Sequence, residues 1–341
     1  MTKHLLSVIA VCVVFVSGIG LIVFFFGVEK KATYTIRFAD FHTMGSGEYD
    51  MAKRFKQRLE EKTNGEIEVK LFLSGQLGGT RETLESTRLG ILQMTFAFPG
   101  VFSDYIPEYS AMGLPFLFDD YGHVERMMDS PALAGLGDRM ANKTGLRVLG
   151  WIHSGFRFFF GNTEIRKLED FAGLKFRSPE AEVFVETMKS LKIIPVPLPW
   201  IEVYTALKTG LTDGAETTAD GFYANKLWDV SKYVIQTHHM NTIDGLVISE
   251  RFYQSLPQHL QEAVAETTRE LEPIIRKQFI DAEAGKMEEA KNNGIEFIDI
   301  DIEPLRVACT QVWDVFQEKY PGIKELIAEA ERLRTTPLQE K

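Results

Sequence analysis

The sequence predicts an α/β protein folded as two lobes, on three observations. Apolar runs of period two alternate with helical runs from Tyr34 onward. A second series of strands opens near Leu146, and residues 245–249 read as a strand returning to the first sheet. From Pro257 a helical repeat of Leu260, Val264, Thr267, Leu271, Ile274, Ile275 and Ala282 continues to Asn293-Gly294, long enough to span both lobes.

Taken in order, Tyr34, Ile36 and Phe38 alternate with polar residues and predict a strand. Residues 42–47 form a polar, Gly-containing loop. Ala52, Phe55 and Leu59 share a helical face that Asn64-Gly65 stops. Residues 67–73 give a second strand, SGQLGGTRE leads into a helix ended by Gly90, and residues 92–98 give a third strand before Pro99-Gly100. Residues 146–152 and 156–160 read as two further strands. GLKFRSPEAEVF (173–184) reads as a short strand and then a helix, with Ser178 as cap and Pro179 in the first turn. IIPVPL is extended by its prolines, Val203, Ala206 and Leu207 lie on a short helix, and residues 232–236 give a strand. Pro273 predicts a kink in the long helix. Two helices, around 307–319 and 323–333, follow it.

Two such lobes leave a cleft, and ligands of open α/β sheets bind beyond the carboxyl ends of strands. Arg177 sits at such an end, and Arg157 at the entry to FRFFF.

Composition removes several functions. The 341 residues suffice for two domains and carry a net charge of −10. Lys3 is the only charge among the first 27 residues, and no basic run supplies a phosphate-tracking surface, so nucleic acid is not an expected partner. Cys12 and Cys309 are the only cysteines, which excludes a cysteine-built metal site. His238-His239 makes a poor chelate because adjacent strand residues face opposite ways, and His42 and His153 read as isolated loop or surface residues. No metal or cofactor is expected. G-x-S-x-G, H-E-x-x-H and P-loop signatures are absent, so catalysis is not expected either. Residues 5–27 carry no charge and read as a secretory signal or an uncleaved membrane anchor; both export the body.

GFR at 155–157, GLKFRSP at 173–179, EVYTALKTGLTDGAE at 202–216 and NKLWDVSKY at 225–233 resemble the solute-binding subunits of TRAP transporters, the DctP-like family. SGQLGGTRETLE at 74–85 and LPFLFDDY at 114–121 fit the same pattern. The resemblance implies a periplasmic binding protein with hinged lobes and a long spanning helix. Lobe I would hold residues 33–153 with about 242–282, and lobe II residues 154–241 with about 283–335, after a leader at 1–32. It also implies capture of a small organic carboxylate and its delivery to the small and large TRAP membrane subunits, which run on an ion gradient. Delivery to a membrane sensor is the alternative the sequence leaves open.

By that resemblance Arg177 is the carboxylate-binding arginine, Arg157 the second arginine and Trp200 an aromatic wall. Thr217 stands where Asn is frequent, and Phe41 and Phe98 replace positions that are polar in sialic-acid-binding members. Guanidinium offers a planar fork matched to a carboxylate. For Arg157 a salt bridge to Glu180 or Glu182 competes with ligand contact. Glu216 is expected to orient an arginine or accept from a ligand hydroxyl. With Trp200, Phe41 and Phe98 would favour a monocarboxylate with an apolar or aromatic body over a polyhydroxylated sugar acid.

Overall fold

The computed structural model describes residues 32–334 and two short paired strands, Val14–Val16 and Leu21–Val23. The rest of the expected signal or anchor lies outside the described residues. Among the described residues no helix is long and apolar enough to cross a membrane.

The main strands are β1 (Tyr34–Ala39), β2 (Ile67–Phe72), β3 (Met94–Ala97), β4 (Leu146–Gly161), β5 (Lys175–Ser178), β6 (Ile194–Pro197), β7 (Gly214–Thr218), β8 (Tyr233–Gln236), β9 (Asn241–Ser249) and β10 (Glu296–Asp299). They run in the order β2-β1-β3-β9-β4-β7-β5-β6, and β8 pairs with β4 and β10. The 16-residue β4 belongs to both halves. Its first part pairs antiparallel with β9, from Leu146 opposite Ser249 to Phe156 opposite Asn241. Its second part, from Arg157, pairs with β7 on one side and β8 on the other.

The sequence reading splits β4 into two strands. Gly155, at φ +108°, and a register shift between Thr242 and Ile243 interrupt the side-chain alternation without ending the strand. β6 is an edge strand, which is where two prolines are tolerated. Ser178 does not cap a helix. It closes β5 with its hydroxyl unpartnered, and the next helix, Glu182–Ser190, starts after Ala181.

Gln258–Asn292 is one continuous 35-residue helix through Pro273. Leu260, Val264, Leu271, Ile275 and Phe279 pack into the core that holds Phe38, Phe55 and Phe96. About 12–17 Å beyond Phe279, at about 1.5 Å per residue, Met287 and Ala290 pack with Phe160 and Phe222 of the other half. The final helix, Ile323–Arg334, expected on lobe II, instead buries Ile323, Leu326 and Ala330 against Tyr109, Met127 and Met140. His153, expected at a surface or in a loop, is fully buried and stacks on Tyr121 at 5.0 Å.

Candidate functional site

Loops at the ends of β1, β3, β5, β6 and β7, together with the middle of β4 and the start of β9, frame a cavity that is partly open to solvent. Phe41, Phe98, Arg157, Arg177, Trp200 and Thr217 all line it. Glu216 does not; it lies behind the wall, fully buried.

Arg177 comes off β5 and is 3% exposed. Its Nε–H donates to Leu198 O at 2.9 Å, and its guanidinium lies 5.5 Å from the Trp200 ring centre. Among the described residues no carboxylate lies within ion-pair distance of it. Burial pushes its pKa down to about 9, with the nearby Arg157 adding to the fall and Glu216 and Glu180 opposing it. The side chain thus presents a positive fork to the cavity with its charge unbalanced by a contact, a state that costs free energy until an anion arrives.

Arg157 is occupied differently. Its Nη2–H donates to Glu216 Oε1 at 2.7 Å and to Glu216 O at 3.1 Å, and Nε bonds Oε2 of the same carboxylate. Nη1–H donates to Thr242 Oγ1 at 2.6 Å, and Phe184 lies under the guanidinium at 5.2 Å. The partner is Glu216, not Glu180 or Glu182. Adjacent register explains it: Arg157 opposes Thr218 and Phe159 opposes Glu216 in the β4–β7 ladder, so both side chains rise on one face two residues apart.

His239 stacks on Phe159 at 4.4 Å with rings 7° apart, and its Nδ1 lies 2.8 Å from Thr237 Oγ1. Burial holds its pKa down to about 4. The unfolded chain takes up a proton near pH 6.5 while the native imidazole stays neutral. Stability is therefore full above about pH 6.5 and falls as pH drops from there to 4, by about 3 kcal/mol in total from this residue. Denaturation of the His239→Phe variant across that window is expected to show a shallower acid limb than the parent.

The family model for bacterial extracellular solute-binding proteins, family 7, matches residues 38–319. The chain belongs to that family. The sialic acid-binding periplasmic protein SiaP of Vibrio cholerae is 31% identical over 300 residues, covering 87% of this chain and 94% of that protein. A TRAP periplasmic solute-binding protein from Xanthobacter autotrophicus, solved with β-D-galacturonate, superposes with a TM-score of 0.83 at 30% identity, covering 87% of this chain and 99% of that one. One from Desulfovibrio desulfuricans, bound to sn-glycerol-3-phosphate, gives 0.85 at 25% identity, covering 89% and 99%. The family is one of transport receptors, and its two-lobed α/β architecture with a long spanning helix is the architecture described above.

Within this family 7 chain the cavity has residues that the sequence reading passes over. Asn241 is buried, lines the cavity, and neither its side-chain oxygen nor its nitrogen has a hydrogen-bond partner. His42, Glu48, Asp220 and Asp244 also line it. Burial pushes Glu48 to about 8 and Asp244 to about 6. Burial lowers His42, but Asp40 and Glu48 outweigh it and raise its pKa to about 10. Asp220 is held by Lys286, and Gly47 N–H donates to its Oδ2 at 3.3 Å. Glu48 and Asp244 lie 196 positions apart in sequence, so no spacing signal joins them.

Proposed function

We propose that the protein is an extracytoplasmic receptor that captures a small organic acid on Arg177, closes around it, and delivers it to the membrane subunits of a TRAP transporter. What carries the reading is a buried guanidinium on a cavity wall with no carboxylate of the described residues within ion-pair distance. The guest's carboxylate supplies the missing charge, in a fork-to-fork pairing that fixes its orientation. The relatives' acids, a sialic acid, a uronate and a glycerol phosphate, support an anionic ligand class.

Trp200, Phe41 and Phe98 offer flat apolar faces, and Asn241 and Thr217 offer hydrogen bonds. This favours a monocarboxylate with one apolar face and at least one polar substituent on the other. Arg157, already satisfied by Glu216, acts as a fixed positive wall more than as a second clamp. Closure works through the seam in β4 at Ser154 and Gly155, where one strand passes between the two halves. A thermal-shift panel of aromatic, aliphatic, aldonic and uronic monocarboxylates, dicarboxylates and sugar phosphates tests the class. The reading expects several degrees of stabilisation by a monocarboxylate and none by its amide. Stabilisation confined to neutral or cationic compounds would refute it.

Gly221 gives a second test. A Cβ there would lie 2.5 Å from Thr217 Oγ1 and 3.4 Å from Trp200 Cζ2. Gly221→Ala is expected to displace the Thr217 hydroxyl and weaken the best acid of the panel about tenfold, roughly 1.4 kcal/mol, measured by calorimetry.

A further inference from the structure

We infer that His42, Glu48 and Asp244 form a binding site for a divalent transition-metal cation of the Zn²⁺ type on the first-sheet wall of the cavity. One donor atom from each residue lies within 4.8 Å of the others. Tetrahedral zinc donors at about 2.0–2.2 Å from the ion stand about 3.3–3.6 Å apart. Closing the group onto an ion therefore asks for side-chain shifts of up to about an ångström.

Three further observations point to a cation. Both oxygens of Glu48 and Oδ2 of Asp244 are buried with no hydrogen-bond partner, and the two residues are 0% and 2% exposed. Carboxylates left that way are costly unless something positive meets them. Asp220, also on the pocket wall, already has Lys286, whereas Glu48 meets the His42 imidazole only at 3.8 Å. His42 is oriented as a ligand: its Nδ1 lies 3.0 Å and 3.1 Å from the two oxygens of Asp40. That contact aims the Nδ1 proton at the carboxylate and turns Nε2 outward, 3.8 Å from Glu48 Oε1, where a bound cation would replace the Nε2 proton. A carboxylate behind the imidazole and a donor cluster in front of it is the usual support for a metal-bound histidine.

One imidazole and two carboxylates suit Zn²⁺, Mn²⁺ or Co²⁺ better than the all-oxygen sets of Mg²⁺ or Ca²⁺. Three protein ligands leave a position open toward the cavity. The site is argued without reference to the acid on Arg177, and metal binding alone tests it.

The purified full chain, treated with EDTA and titrated with Zn²⁺ alone, is expected to bind one equivalent with a Kd below about 10 µM and to melt several degrees higher. Co²⁺ is expected to give visible d–d bands. Glu48→Gln and His42→Ala should lose at least about 100-fold in affinity, Asp40→Asn about 10–100-fold, and His238→Ala should lose none. A folded Glu48→Gln variant that binds Zn²⁺ as tightly as the parent overturns the site. So does a parent chain with neither saturable Zn²⁺ binding nor Co²⁺ bands, an outcome that needs no variant to fold.

Discussion

Arg177→Ala is expected to weaken binding of the acid found by the panel by at least tenfold, and by about 30- to 5000-fold if the pair is fully desolvated. That range corresponds to about 2–5 kcal/mol for removing one partner of a buried charge pair. The same substitution has an opposite effect on the empty protein. Among the described residues Arg177 holds a buried charge with only Leu198 O as a hydrogen-bonded partner, so its removal takes away an unfavourable burial. Arg177→Met, which keeps the stem's volume, is therefore expected to melt at the parent temperature or above it while losing all ligand-induced stabilisation. Arg177→Lys keeps charge without the fork and should fall between the two. Scanning calorimetry with and without ligand separates these outcomes. A ligand shift in Arg177→Met equal to the parent's would remove the clamp from the account.

Glu216→Ala is expected to be the most destabilising single change at the site. It leaves Arg157 buried with its Nε and Nη2 donors unmet apart from the Glu216 carbonyl. Breaking a buried ion pair from one side costs about 3–5 kcal/mol. Replacing both partners, as Arg157→Met with Glu216→Leu, removes the stranded charge and should recover much of the loss. Urea denaturation of the two single variants and the double variant measures the coupling. A double variant no more stable than Glu216→Ala would mean that the pair does not act as a unit.

Much of the fold was legible because it rests on local periodicity. The alternation in YTIRFA and IEVKLF and the 3.6-residue repeat beyond Pro257 each carry their own signal, and the structure places strands and a long helix there. The helices Tyr121–Met128 and Pro131–Thr144 carry a weak sequence signal, since their Gly and Met content blurs the apolar face. β4 was read as two strands because Gly155 at positive φ is indistinguishable in sequence from a turn glycine. The cavity was half legible. Arg177 and Trp200 stand in motif-bearing segments at strand ends, whereas Asn241 and Asp244 stand at the start of a strand, where the topological rule for ligand sites does not look. His42 reads as isolated because its partners come from the end of one strand, the start of the next helix and a strand that begins at Asn241.

The outermost strand of the second half carries a last consequence. Ile194 and Leu198 donate inward, to Leu174 O at 2.8 Å and Ser178 O at 3.2 Å. By alternation the amide donors of positions 195 and 197 would point away from the sheet, and both positions are proline. The rim therefore offers a stranger's backbone carbonyls nothing to bind at these two sites. On this flank the fold has a built-in guard against stacking into fibres.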